Sequence, residues 1–217
     1  MRKGGAAIVI LAILTSCGKV RSDGTAGSAA TLGEEPFWRP VEGGERVGVP
    51  APEWDSGKTW LRSAPIALSD LRGKVVLLRF WLAGCPYCVR SAPALQGLHE
   101  RFAPQGLVVI GFHHPKAPGH EEPEFVRSAA RDLGFTFPIA LDNDWEALRK
   151  YWFPNGEKRK FTSVSFLIDG AGVIRWLHDG GEYHEGGGEG HGRCEAALRS
   201  LENWVKRLLK EGKGGSK

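Results

Sequence analysis

Lys74-Val75-Val76-Leu77-Leu78-Arg79-Phe80-Trp81-Leu82-Ala83-Gly84-Cys85-Pro86-Tyr87-Cys88 is the stretch that decides the fold of this chain. The run from Lys74 to Trp81 is almost wholly apolar and reads as a buried strand. Beyond Cys88, Ala94, Leu95, Leu98 and Phe102 recur at helical spacing and predict a helix. Strand, C-x-x-C, helix places Cys85 at a helix N-terminus, where unpaired N–H groups and the helix dipole favour a thiolate. Cys88 follows one turn later, close enough to close a disulfide or resolve a mixed one. The pair therefore points to thiol–disulfide exchange. The same residues also make half of a zinc site, which needs two more ligands, usually a second C-x-x-C or a spaced His pair. Neither is present: His113-His114 are adjacent, and His178, His184 and His191 are scattered.

The N-terminus bears on the compartment. Arg2 and Lys3 form a short positive region and Ala6 to Leu14 an apolar core, too short to span a bilayer. Leu14-Thr15-Ser16-Cys17 then resembles a bacterial lipobox. That reading makes residues 1–16 a cleaved signal and Cys17 the lipid anchor. An ordinary signal peptide with an incidental Cys17, or an uncleaved anchor, is the alternative. Residues 17–46, rich in Gly, Ser, Ala, Thr and Glu with no apolar period, read as the anchor and a flexible linker.

The remainder, 47–210, has the length of one domain, with 211–217 as a disordered tail. The 217 residues are 41% hydrophobic and 25% charged, a globular balance. The net charge of +4 is spread without a basic stripe, which argues against a nucleic-acid partner. Of the four cysteines, Cys194 is left over. It shares one helical face with Ala197, Leu198, Leu201, Val205 and Leu208, so a buried small residue is the favoured reading and a third redox thiol or ligand the alternative.

Elements alternate along the domain. Gly106 to Phe112 reads as a strand. Glu121 to Leu133 reads as a helix with Phe125, Ala129 and Leu133 on one face. Thr136 to Leu141 reads as a short strand. Asn143 is placed to cap a helix reaching Tyr151. Val164–Ile168 and Val173–Leu177 flank Asp169-Gly170-Ala171-Gly172 as a hairpin, and Cys194–Leu209 is the last helix. This order argues an α/β fold, a central mixed sheet covered by helices on both faces.

Several motifs then resemble the thioredoxin superfamily, and in more detail its TlpA/ResA-type extracytoplasmic thiol–disulfide oxidoreductases. Ile66 to Leu78 is similar to the segment leading into their active-site strand. Phe80-Trp81-Leu82-Ala83-Gly84-Cys85-Pro86-Tyr87-Cys88 is similar to F-W-x-x-x-C-x-x-C. Pro93-Ala94-Leu95 is similar to the proline-bearing turn of the next helix, and Phe166-Leu167-Ile168-Asp169-x-x-Gly172 to F-L-I-D-x-x-G. Val109-Ile110-Gly111 and Gly181-Glu182-Tyr183 resemble the thioredoxin-like domain of DipZ-type proteins. The resemblance spans about residues 50–185 and implies a thioredoxin-like fold, with Cys85 and Cys88 as a catalytic redox-active disulfide. It also implies protein thiol or disulfide substrates, an electron-donor or acceptor protein, and no exogenous cofactor or metal. With Cys17 lipidated, the chain is expected in the bacterial cell envelope, facing the periplasm or the outside.

Two positions depart from the pattern. The family carries a cis-proline just before the F-L-I-D strand, whereas this chain has Thr162-Ser163-Val164, preceded by an insertion from Pro154 to Ser163. A cis bond at Thr162–Ser163 costs about 3 kcal/mol, so trans is expected. Loss of that proline leaves metal binding at Cys85 and Cys88, as in a copper chaperone, as the alternative function. The Gly-rich segment from Tyr183 to His191 is a flexible loop or a source of a further ligand. Arg79 stands where thioredoxins often carry a buried acid. It either reaches the dithiol and favours a thiolate, or points outward over the sheet surface. Trp81 and Tyr87, with Pro86, flank the pair as a docking surface, although Trp81 reads equally as core. A peroxidase is disfavoured, because Leu78 and Leu82 occupy the Pro and Thr positions of P-x-x-x-T-x-x-C. His113-His114 lie near the expected rim of the site.

Overall fold

The computed structural model describes residues 41–188 and 190–214. The expected signal segment 1–16 and the expected anchor residue Cys17 lie outside the described residues. Six strands form one sheet in the order β1-β4-β3-β2-β5-β6. They are β1 (Trp60–Leu61), β2 (Val75–Trp81), β3 (Leu107–His113), β4 (Ile139–Leu141), β5 (Ser165–Ile168) and β6 (Ile174–His178). β2, β3 and β4 run parallel, and the β5–β6 hairpin adds to β2 antiparallel. The helices are α1 (Pro86–Phe102), α2 (Pro123–Asp132), α3 (Glu146–Trp152) and α4 (Gly192–Gly214).

Every residue of β2 is buried, because the strand sits in the middle of a sheet covered on both faces. Side chains alternate across the pleat. Leu77 and Trp81 enter one core with Leu95, Leu98, Val126, Leu201 and Val205 of α1, α2 and α4. Val76, Leu78 and Phe80 enter the other with Phe112, Tyr151, Trp152 and Phe166. Arg79 has the parity of Leu77 and Trp81, and so faces α1. At Gly111, opposite Arg79 in β3, a Cβ would lie 2.9 Å from the Trp81 indole nitrogen. The bare glycine thus lets that indole lie across β3.

β2 to β6 fall where hydrophobic runs predict them, β1 is a short strand that the sequence reading does not include, and four further details differ. The side chain that satisfies the first turn of α3 is Asp142, not Asn143: its carboxylate accepts from the Ala147 and Leu148 N–H groups at 3.0 and 2.9 Å. Trp145 adopts left-handed backbone (φ 60°), which delays the helix to Glu146 and leaves Asn143 donating to the Glu121 carbonyl instead. On α2, Val126 and Ala130 are buried while Phe125 is exposed and stacks on His120, so the buried face is rotated from Phe125-Ala129. α4 continues past Leu209 to Gly214, with an Arg207–Glu211 pair across its last turns, into the region assigned to a disordered tail. Ordered contacts also begin ahead of residue 47. Glu42 N–H donates to Asp179, Arg159 pairs with Glu45, and Gly43 (φ 81°) passes over Trp152 where a Cβ would clash.

Candidate active site

Cys85 is the N-cap residue of α1, with Pro86 in the first turn, where its missing N–H costs nothing. The Val89 N–H closes the first turn on the Cys85 carbonyl. Gly84 (φ 76°) turns the chain from β2 into this position. Cys85 is half-buried, and Cys88, one turn along, is buried against the sheet.

The two thiols are electrostatically unequal. A hydrogen bond from Cys88 is the main cause that holds Cys85 down to about 5, against an opposing push from burial. The N–H groups of Cys88 and Tyr87 at the open helix end and the Ser163 hydroxyl act in the same direction. Cys88 is pushed well up, first as the partner of the Cys85 sulfur and then by burial, with the Arg79 charge opposing. At neutral pH the outer sulfur is a thiolate and the inner one a thiol. This is the arrangement that attacks first and resolves second.

Below the pair lies Arg79, which is 1% exposed. Its Nη2 is 3.9 Å from Cys88 Sγ and donates to the Gly181 carbonyl at 3.1 Å. Its Nη1 donates to Ser165 Oγ, opposite it in β5, at 3.3 Å. The Tyr183 ring covers the guanidinium at 5.3 Å and its hydroxyl meets Ser165 Oγ at 3.1 Å. Of the two readings of Arg79, the structure takes the inward one.

Ser163 Oγ lies 3.2 Å from Cys88 Sγ and 3.8 Å from Cys85 Sγ. The Thr162–Ser163 peptide is trans, as expected. The segment before it is anchored on both sides. Trp152 Nε1 donates to the Phe161 carbonyl at 2.7 Å, and Thr162 Oγ1 meets His114 Nε2 at 2.9 Å. The insertion thus delivers a hydroxyl to the sulfurs at the position where the family pattern has proline.

Trp81 does not flank the pair as a surface. It is fully buried, edge-on to His113 and Phe135. Tyr87 is exposed and packs edge-on against Phe161 at 5.6 Å. His113 and His114 are buried. Burial lowers His113 to about 4 and His114 to about 3, so both are neutral. They fasten loops: the Ala83 N–H donates to His113 Nε2 at 3.4 Å, and His114 holds Thr162. Cys194 is not in the core as its helical face suggested. It sits at the start of α4, half-exposed, with Sγ 3.8 Å from a Glu182 oxygen. Among the described residues, no third Cys, His, Asp or Glu joins Cys85 and Cys88 in a metal-ligand cluster. Sequence reasoning missed Ser165, Tyr183 and Phe161 as parts of the site. Ser165 was findable, since it lies directly across from Arg79 on the neighbouring strand.

Comparison with known proteins accords with this geometry. The AhpC/TSA family model matches residues 47–177. Protein DipZ of Mycobacterium bovis is 32% identical over 170 residues, 77% of this chain and 22% of that protein. The chain therefore spans about a fifth of the length of the DipZ proteins it matches. Thiol-disulfide oxidoreductase ResA of Geobacillus kaustophilus is 35% identical over 135 residues, covering 62% of this chain and 70% of the relative. A thiol:disulfide interchange protein of the thioredoxin family from Chlorobium tepidum superposes with a TM-score of 0.55, covering 74% of this chain and 95% of that one. At 20% identity that likeness speaks for the fold.

Proposed function

We propose that this chain, a member of the AhpC/TSA family, is a thiol–disulfide oxidoreductase that exchanges electrons with protein disulfides through Cys85 and Cys88. The observation that carries this reading is the split between a partly exposed Cys85, held down to about 5, and a buried Cys88 held up beside it.

In the reducing direction, the Cys85 thiolate attacks one sulfur of a substrate disulfide. The Cys85–substrate disulfide forms and the other substrate sulfur leaves as a thiolate. Cys88 then loses its proton and attacks Cys85 Sγ. The Cys85–Cys88 disulfide forms, and the second substrate sulfur leaves. Two electrons have passed from the pair to the substrate, and the reverse sequence oxidises a dithiol. Arg79 supplies the positive charge next to Cys88 at the moment its thiolate is needed. No group beyond the two sulfurs takes part in the electron transfer.

The reading extends to the compartment. Lipidation of Cys17 holds the domain at the outer face of a bacterial membrane, where a donor or acceptor protein resets the pair. The lipobox-like Leu14-Thr15-Ser16-Cys17 supports this. Among the described residues no helix is long and apolar enough to cross a membrane.

The test is a redox titration read by thiol trapping and mass spectrometry. Cys85 and Cys88 are expected to titrate together as one two-electron couple. A Cys88→Ser variant is expected to accumulate a mixed disulfide on Cys85. A pair that never closes, or that is trapped only with metal attached, would overturn the reading in favour of metal binding at the dithiol.

A further inference from the structure

Away from the redox pair, the segment after β6 and the start of α4 gather four metal-capable side chains around one point. Glu182, His184, His191 and Cys194 each offer a ligand atom, and these atoms all lie within 4.8 Å of one another. Glu182 Oε1 is the hub. It is 3.6 Å from His191 Nδ1, 3.8 Å from His184 Nε2 and 3.8 Å from Cys194 Sγ. Cys194 Sγ is in turn 3.9 Å from His191 Nδ1. Ligand atoms around a tetrahedral zinc stand roughly 3.3–3.7 Å apart, given bonds of about 2.0–2.3 Å. Small side-chain rotations close the difference.

The arrangement says more than proximity. His184 Nδ1 faces the Glu185 carbonyl at 3.3 Å. A carbonyl only accepts, so in the neutral ring Nδ1 carries the proton and Nε2 presents a lone pair. That Nε2 is buried and has no hydrogen-bond partner. A bare nitrogen and a carboxylate oxygen therefore face one another across 3.8 Å, an arrangement that a cation between them stabilises. The other Glu182 oxygen is held by Arg90 of α1, which orients the carboxylate as outer-sphere partners of metal ligands do. The intervening loop folds back through Gly186, Gly187 and Gly188, all at positive φ. A Cβ on Gly187 would come within 2.6 Å of the His191 ring. The loop thus needs glycine where it does in order to seat that imidazole.

We propose that Glu182, His184, His191 and Cys194 form a binding site for one divalent cation of borderline softness, Zn2+ by its mixed nitrogen, sulfur and oxygen donors. Binding releases the Cys194 thiol proton to solvent, and no electrons move. The site is separate from Cys85 and Cys88 but tied to them through the backbone between. The Gly181 carbonyl accepts from Arg79 and the Tyr183 N–H donates to Ser91, so the neighbours of Glu182 hold the redox site while Glu182 itself faces the ion. An ion here fixes the strap that positions Arg79.

The test uses the full chain carrying Cys85→Ser and Cys88→Ser, reduced and stripped with chelator, then titrated with Zn2+ alone by calorimetry. A parallel titration with Co2+ reads tetrahedral thiolate coordination from its absorption spectrum. One equivalent is expected to bind, with a thiolate-to-cobalt band. Adding Cys194→Ala is expected to abolish that band, and Cys194→Ala or His184→Ala to weaken Zn2+ at least tenfold, with far-ultraviolet dichroism unchanged. Arg90→Ala, which removes no ligand, is expected to weaken it by about tenfold. Failure of the double serine variant to bind, or affinity indifferent to Cys194 and His184, would overturn the proposal. Either result leaves the redox titration of Cys85 and Cys88 untouched, so the two readings fail separately.

Discussion

Arg79 Nη2 stands 3.9 Å from Cys88 Sγ, and among the described residues no carboxylate pairs with that guanidinium. Ser165 and Gly181 satisfy some of its donors, but a buried charge with no counter-ion is costly. A thiolate at Cys88 is the anion that its position favours. Arg79 therefore acts on the step in which Cys88 gives up its proton and resolves a mixed disulfide.

Arg79→Met removes the charge at similar volume. Closure of a mixed disulfide on Cys85 is expected to slow on the order of tenfold at neutral pH, since each pKa unit by which Cys88 rises leaves about tenfold less thiolate to attack. Quenched-flow trapping with mass spectrometry reads that rate. A closure rate that does not move would mean that Arg79 acts on packing alone.

The Cys85 sulfur carries the pH dependence. Its folded value is about 5 against an unfolded value of about 8.5, so this group is depressed. Between these values the unfolded chain holds the proton and the folded one does not. Stability of the reduced form therefore rises with pH across that window, is fully present above it, and is lost as pH falls through about 5. Alkylation of reduced protein followed by mass spectrometry should show the Cys85 rate falling with a midpoint near pH 5. Cys88→Ala and Ser163→Ala should each move that midpoint upward, Cys88→Ala further, because the Cys88 hydrogen bond is the larger cause.

His113 and His114 are expected to add no inflection between pH 6 and 8, since burial keeps both neutral there. Histidine proton resonances followed by NMR titration should leave these two rings unmoved across that range. His114→Asn, which retains a polar partner for Thr162, should keep the Cys85 midpoint, whereas His114→Leu should loosen the Ser163 loop and raise it.

How far these features were legible follows from where their causes lie. β2, the C-x-x-C turn and α1 are contiguous, so local pattern was enough to read them. The same pattern could not orient Arg79. Its strand is apolar on both faces, and only the seating of α1 above Leu77 and Trp81 gives that parity a meaning. Ser163 was reachable through the family pattern, because it fills the position before the F-L-I-D strand. Phe161 was not, because the insertion has no period and its path depends on Trp152 and His114. Cys194 misled for the opposite reason. Its spacing continues the buried face of α4, but the first turn of that helix overhangs the core and meets Glu182 and His191 instead.

Trp81 and Tyr87 separate core from docking surface, and two pairs of measurements tell them apart. Trp81 is fully buried between His113 and Phe135, so Trp81→Ala is expected to cost about 3–5 kcal/mol in unfolding free energy, seen as a lower denaturant midpoint. Reaction of the surviving folded protein with a small disulfide should be little changed. Tyr87 is exposed and packs edge-on against a half-buried Phe161, so truncating Tyr87 should barely affect stability. Tyr87→Ala and Phe161→Ala are each expected to raise KM for a protein disulfide several-fold. The rate with glutathione disulfide should hold, because a small substrate makes little use of that surface. Equal losses on both substrates would place the aromatic pair in the chemistry of Cys85 rather than in recognition.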